Sequence, residues 1–167
     1  LVVFPFCMVF SAVSDTLSMT IANRVPLILL GTFAIVAPLA GMDWTLFGWH
    51  LLAGVLVLAV TFGMFAIGAM GGGDAKLLAA TAVWMGFGPL LVQYLVVSAF
   101  IGGLLTLLIL SYRASPLSGM TSHNLFLRNF VHESKGIPYG IALGIAGLVV
   151  YPKSPLMLWA IERLTAG

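Results

Sequence analysis

Long apolar runs fill most of this sequence, and short clusters of polar residues, glycine and proline separate them. A helix of about 20 mostly apolar residues is long enough to cross the hydrocarbon core of a bilayer. Only 7% of the 167 residues are charged, whereas 61% are apolar. Soluble domains carry about 25% charged residues, so this chain has too few to cover a water-exposed surface. The sequence therefore predicts an all-α integral membrane protein.

The polar and Gly/Pro breaks divide the chain into about six transmembrane helices, expected to form one bundle. No internal repeat or low-complexity tract is present, so a single domain over residues 1–167 is expected. The stretch after Tyr151 either completes the last span or lies flat at the interface, where Trp159 is well accommodated. The predicted spans are residues 1 to about 16, 25–40, 47–69, 76–87, 90–112 and 137 to about 158.

The charge pattern and the few metal-binding side chains exclude several classes of partner. The net charge of +2 is scattered, with no basic stretch that could follow a phosphate backbone, so nucleic acid is not an expected partner. Cys7 is the single cysteine, which rules out a disulfide within the chain and a cysteine-based zinc site. His50, His123 and His132 lack metal-ligand spacing. No metal and no cofactor are predicted, and the lipid bilayer is the expected surrounding.

Basic residues predict the orientation, because Lys and Arg are enriched in short cytoplasmic loops. With both chain ends outside, five basic residues fall on the cytoplasmic side and two fall outside. The longest polar connection, residues 113–136, is then cytoplasmic. The five are Arg24, Lys76, Arg113, Arg128 and Lys135, and the two are Lys153 and Arg163.

Two of the five acidic residues fall at the ends of predicted spans on the same face. Asp15 lies at the end of the first span and Asp74 lies just before the fourth, so the two carboxylates are predicted to meet. Two carboxylates a few ångströms apart cannot both ionise cheaply, so one keeps its proton. Such a pair can activate water with one member and protonate a leaving group with the other. The remaining acids, Asp43, Glu133 and Glu162, are expected on solvated surface.

Each of the two aspartates also has a purely structural interpretation. Asp74 follows Gly71, Gly72 and Gly73, whose backbone can adopt positive φ, and an aspartate after such a turn is a good helix N-cap. Asp15 can instead end the first span at the interface or cap a following turn. Local physics leaves both roles open for both residues.

The segments around the aspartates resemble the motifs of the type IV prepilin peptidases, membrane aspartic proteases with a Gly-x-Gly-Asp motif. Residues 71–77, Gly-Gly-Gly-Asp-Ala-Lys-Leu, are similar to the second catalytic segment of that family. Asp15, followed by Ile-Ala-Asn-Arg at 21–24, resembles the first segment, with alanine where the family has proline. A third similarity is Lys-Gly-Ile-Pro-Tyr-Gly at 135–140.

The resemblance implies an aspartic endopeptidase that removes the short leader peptide from prepilins or pseudopilins. It places the active site at the cytoplasmic face of the bacterial inner membrane, with Asp15 and Asp74 as the catalytic pair. The chain is most similar to the compact form that serves the tight-adherence, or Flp, pilus system. Residues implied to bind substrate or shape the loop are Gly71, Gly73, Lys76, Asn23, Pro138 and Tyr139.

Two other functions compete with this interpretation. The presenilin and signal-peptide-peptidase type also uses Gly-x-Gly-Asp, but its Tyr-Asp pair and Pro-Ala-Leu motif are missing here. A small non-enzymatic transporter or channel would use Asp15 and Asp74 to bind cations or carry protons. Lys76 likewise has two candidate roles, which are to tune Asp74 or to contact lipid phosphate.

Single cysteines at Thr121 and Asp43, in a Cys7→Ser background, test the predicted orientation. A membrane-impermeant thiol reagent should label them from opposite sides, because residues 113–136 are predicted to be cytoplasmic and the connection at Asp43 is predicted to lie outside. Labelling of both positions from the periplasmic side would contradict the assignment.

Overall fold

A computed structural model describes residues 2–115 and 137–165, and most of these residues form α-helices. Each of the six predicted segments contains a helix, and the ends of the first five agree with the prediction within four residues. The helices are α1 (Val3–Ser18), α2 (Arg24–Leu39), α3 (Trp44–Ala66), α4 (Gly72–Met85), α5 (Pro89–Arg113), α6 (Tyr139–Val150) and α7 (Pro155–Thr165), with a 3₁₀ turn at Tyr151–Lys153.

The helices have the length and composition of a membrane protein. Among the described residues, α3 and α5 are each long and apolar enough to cross a membrane, and α1 and α2 are shorter apolar helices. The segment from α6 to α7 is a third candidate span if its bent halves are counted together. Large apolar side chains such as Val60 and Phe100 face outward, as expected where lipid is the solvent. The predicted all-α membrane fold is confirmed.

The last predicted span, 137 to about 158, is wrong as one continuous helix. It ends at Val150, and after the 3₁₀ turn α7 departs at an angle of 51°. Pro152 and Pro155 explain the break, because proline has no N–H to donate to the preceding turn and its ring clashes with that turn. The fourth helix also differs from the prediction, since it begins at Gly72 and takes in much of the glycine run.

Successive helices from α1 to α6 run in alternating directions. Asp15 near the end of α1 meets Gly140 at the start of α6, and Asn23 before α2 meets Lys76 in the first turn of α4. The starts of α2, α4 and α6 therefore share one end of the bundle with the last turn of α1. We call this the carboxylate end, because it contains both Asp15 and Asp74.

Aromatic rings and two side chain to backbone hydrogen bonds hold the opposite end together. Trp84 of α4 donates its indole N–H to the carbonyl oxygen of Leu29 at 3.0 Å. His50 of α3 lies with Nδ1 2.7 Å from the carbonyl oxygen of Val83. The ring pairs there are Phe4 with Trp84, Phe4 with Tyr151, Phe33 with Trp84 and Phe33 with His50.

Helix α4 lies at the centre of the bundle. Every residue from Leu77 to Met85 is buried, which is the pattern of a helix surrounded by others. It packs against α2, α3 and α6. The first turn of this central helix contains Asp74, so the position of that carboxyl depends on packing around the whole helix.

Glycines on one side of α6 allow α1 to approach closely. A Cβ added at Gly144 would lie 2.8 Å from the backbone oxygen of Met8, and one at Gly147 would lie 2.8 Å from the sulfur of Met8. Small residues permit this approach between membrane helices, where packing and hydrogen bonds replace the hydrophobic effect as the source of association.

Gly144→Ala should destabilise the bundle by about 1–3 kcal/mol, the usual cost of overpacking a core. The added methyl meets backbone that cannot rotate away. Gly103→Ala in α5 is the matched control, because a Cβ there meets nothing within 4 Å. Thermal unfolding in detergent checks the pair. Equal melting temperatures for the two variants would contradict the close packing of α1 and α6.

Candidate active site

Asp15 lies in the last turn of α1 and is buried, with 5% of its surface exposed. Its Oδ2 accepts a hydrogen bond of 2.7 Å from the backbone N–H of Gly140. Gly140 is in the first turn of α6, where backbone N–H groups lack partners within the helix and favour an anion. The partner of this carboxylate is therefore the beginning of another helix.

Gly140 must be glycine for Asp15 to occupy this place. A Cβ there would lie 2.8 Å from both Cβ and Oδ2 of Asp15. Gly140 is part of the third motif, residues 135–140, but was not among the site residues predicted from the sequence. The feature of the sequence that could have identified Gly140 is its position directly after Pro138 and Tyr139, at the start of an apolar run.

Asp74 lies in the first turn of α4, three residues after the N-cap, Gly71. The interpretation of Asp74 as the N-cap is therefore wrong. The carboxyl is buried, and its Oδ1 has no hydrogen-bond partner among the described residues. An unpartnered polar atom inside a protein costs free energy, and such atoms concentrate where function requires them.

The glycines before Asp74 let neighbouring groups pack closely against the start of α4. Gly71 has a φ of −70°, so it does not need the left-handed conformation, which Gly68 adopts instead with a φ of 76°. A Cβ at Gly71 would lie 2.7 Å from Oδ2 of Asp74. At Gly73 a Cβ would lie 3.2 Å from Cβ of Ile21. Gly71 thus leaves room beside the carboxylate, and Gly73 lets the connection after α1 pack on α4.

The two carboxyl groups are close enough for their charges to interact. Burial and mutual repulsion oppose two negative charges in this place. The N-terminal ends of α4 and α6 favour negative charge there. The balance favours a single negative charge on the pair, with one proton retained. A pair in that state contains both a base for water and an acid for a leaving group.

The structure brings Asn23 and Lys76 into contact at the carboxylate end of the bundle. In the sequence, Asn23 follows Asp15 and Lys76 follows Asp74. The ammonium group of Lys76 donates to Oδ1 of Asn23 at 2.9 Å, and both side chains are exposed. Asn23 occupies the N-cap position of α2 but makes no side-chain capping bond. This contact joins the start of α2 to the first turn of α4.

Pro138 and Tyr139 fix the start of α6. Pro138 is fully buried and occupies the N-cap position. The ring of Tyr139 lies against Gly102 of α5, and its hydroxyl is 3.2 Å from Oγ1 of Thr106. Both residues therefore place Gly140, and through it Asp15, by packing α6 against its neighbours.

Asp43 and Glu162, two of the three acids predicted on the surface, are exposed in the structure. Asp43 is exposed and accepts a hydrogen bond from the N–H of Thr45 at 2.9 Å, which lowers the pKa of Asp43. Glu162 is exposed on α7.

Within 2–115 and 137–165, His, Cys, Asp and Glu form no cluster suited to a metal ion. Outside the described residues lie the predictions for Arg128, Lys135, His123, His132, Glu133 and the labelling position Thr121.

The fold and the site define a helical membrane protein with a buried pair of carboxyl groups at one end. The model of the type IV leader peptidase family matches residues 2–109, which include both aspartates and the glycine run. The chain belongs to this family, which implies a peptidase. The match ends before the third motif at 135–140. Searches of curated proteins and of solved structures give no significant match.

Asp15→Ala should destabilise the protein, whereas Asp74→Ala should not. Removing the Asp15 carboxyl leaves the buried N–H of Gly140 unpaired, at a cost of about 1–3 kcal/mol. Removing the Asp74 carboxyl relieves a buried oxygen without a partner, so stability should stay the same or rise. Thermal unfolding of the two purified variants measures the difference. A larger loss in Asp74→Ala would contradict the hydrogen bonding described for the pair.

Proposed function

We propose that this protein is an aspartic endopeptidase that removes the leader peptide from prepilins or pseudopilins, with Asp15 and Asp74 as its catalytic pair. The observation that carries the proposal is the placement of two buried, electrostatically interacting carboxyl groups at the same end of the bundle. They come from separate helices, and each is next to a helix N-terminus. Membership of the type IV leader peptidase family supplies the substrate class.

The surroundings of the two carboxyl groups support different roles. Asp15 accepts a hydrogen bond from the Gly140 N–H, which favours its charged form, so we assign it as the general base. Asp74 has a buried oxygen without a partner, which favours its protonated form, so we assign it as the general acid. The pair shares one proton before substrate binds.

Hydrolysis then proceeds in two balanced steps. A water molecule attacks the carbonyl carbon at the leader junction while Asp15 takes its proton and Asp74 protonates the carbonyl oxygen. In the second step the C–N bond breaks, the proton on Asp15 passes to the leaving nitrogen, and Asp74 regains a proton from the tetrahedral intermediate. The pair returns to its singly protonated state, as general acid–base catalysis requires.

Access to the pair is favoured at Gly71, which is exposed and adjacent to Oδ2 of Asp74. A backbone without a side chain at this position leaves room for an extended substrate segment to approach the carboxyl group. We place this end at the cytoplasmic face of the bacterial inner membrane, on the basis of the five-to-two distribution of basic residues. The similarity to the compact form of the Flp pilus system is part of the same proposal.

Asp15→Asn and Asp74→Asn should each lower kcat/KM for a prepilin by about 10²–10⁴-fold, because each removes one partner in proton transfer. The double variant should be little worse than either single one, since both residues act as one unit. Wild-type activity should fall at both pH extremes as the pair becomes doubly protonated or doubly charged. Cleavage of a purified prepilin in liposomes measures all three variants.

Asp43→Asn is the matched control, because that aspartate is exposed and caps α3 at the far end of the bundle. It should keep wild-type turnover. Near-wild-type cleavage by correctly inserted Asp15→Asn protein would remove Asp15 from the mechanism. Ion flux without cleavage in the same liposomes would instead support the transporter alternative.

A further inference from the structure

We propose that the groove between α2, α3 and α4 binds an anionic phospholipid, with the phosphate at Lys76 and Asn23 and an acyl chain along the groove. The groove has a volume of about 570 Å³ and opens to the outer surface of the bundle. Its mouth is at the carboxylate end. Apolar side chains that line it include Leu27, Leu30, Val55, Leu58 and Ala80.

The mouth of the groove has the chemistry that recognises a phosphate. Lys76 donates to Oδ1 of Asn23, a neutral amide, so this bond leaves the charge of the ammonium uncompensated. The ammonium group has further N–H donors, and the Asn23 amide has two donors of its own. Arg24, exposed at the start of α2, is next to Asn23 in the sequence and adds a second positive charge at this end of the helix. A headgroup phosphate is complementary to this arrangement.

Gly54 forms an apolar part of the groove floor without a side chain. This residue of α3 packs so tightly against α4 that a Cβ there would overlap the Val83 side chain and lie 3.2 Å from the backbone oxygen of Ala79. At this position α3 and α4 are in contact beneath the groove, and no side chain projects into it.

The division of the groove into a charged mouth and an apolar length favours a phospholipid. From Lys76 to Val83 the groove extends along α4 for about 10 Å of helix. The ammonium group of Lys76 and the amide of Asn23 are at one end, and apolar side chains line the rest. A lipid with an anionic headgroup and an acyl chain has the same division.

The position of this lipid site links two elements of the active site. Lys76 is two residues after Asp74 in the first turn of α4, and Asn23 is two residues after Ile21, which packs on Gly73. A phosphate bound by both side chains would join the start of α2 to the turn that holds Asp74. The inference concerns binding alone and does not depend on peptidase activity.

Native mass spectrometry of the purified full chain, titrated with phosphatidylglycerol in detergent, tests the site. Lys76→Ala should weaken phosphatidylglycerol binding about fivefold, the factor expected for one basic residue near an anionic surface. Lys153→Ala is the matched control, because Lys153 is also exposed and near an amide oxygen, that of Gln93 at 3.5 Å, but at the opposite end. It should bind like the wild type.

A second pair of variants tests the groove itself. Val55→Trp should block it and reduce binding of phosphatidylglycerol, whereas Val96→Trp on α5 should not. The two valines are matched, since each is 61% exposed. Unchanged affinity in both Lys76→Ala and Val55→Trp would overturn the proposal.

Two further results would also overturn it. Full displacement of phosphatidylglycerol by millimolar inorganic phosphate would show a free-anion site in place of a lipid site. Loss of prepilin binding in Val55→Trp with unchanged lipid binding would assign the groove to the substrate. Asp74→Asn protein should bind phosphatidylglycerol as the wild type does. Lipid binding can therefore be tested independently of the proposed peptidase mechanism.

Discussion

The hydrogen bond from Gly140 to Asp15 is the contact on which the rest of the site depends. It forms only because Gly140 and Gly144 have no side chains, so that the backbones of α1 and α6 come close together. In a membrane, the apolar surfaces of two helices gain little by leaving lipid for each other. Close packing and hydrogen bonds must supply the association, and here one hydrogen bond also satisfies a buried carboxylate.

The second carboxyl group depends on the far end of the bundle. Helix α4 is fixed there by Trp84, which donates to the Leu29 carbonyl oxygen, and by His50, which contacts the carbonyl oxygen of Val83. These contacts define the axial position of α4 relative to α2 and α3. Asp74, at the other end of the same helix, can then remain buried with an unpartnered oxygen, a cost that the packing around the helix offsets.

The sequence was sufficient to predict the helical membrane fold, a helix in each of six segments, and the placement of Asp15 and Asp74 at the same end of the bundle. The apolar runs predict where the helices are. A chain that crosses and recrosses a membrane returns to the same face, so the order of the helices predicts which of their ends lie together. The contact between Asn23 and Lys76 joins two residues that the motifs had already selected.

Other features could not be predicted because they depend on contacts between distant segments. Gly140 is a site residue because its N–H binds the carboxylate of Asp15. The sequence around Gly140 does not indicate that Asp15 lies against it. The N-cap of α4 is Gly71 and not Asp74, because Gly72 and Gly73 form part of the first turn of the helix. The bend of 51° before α7 was indicated by two prolines, but its size depends on tertiary packing.

The separation of 125 residues between Asp15 and its hydrogen-bond donor has a consequence for biogenesis. The ribosome makes α1 early and α6 late, so the first carboxyl group must remain without this donor while α2 to α5 and the segment before α6 are synthesised. The nascent chain contains both aspartates well before Gly140 is made. Completion of the site therefore depends on the synthesis of α6, and a chain truncated before Gly140 would have both acids but no assembled centre.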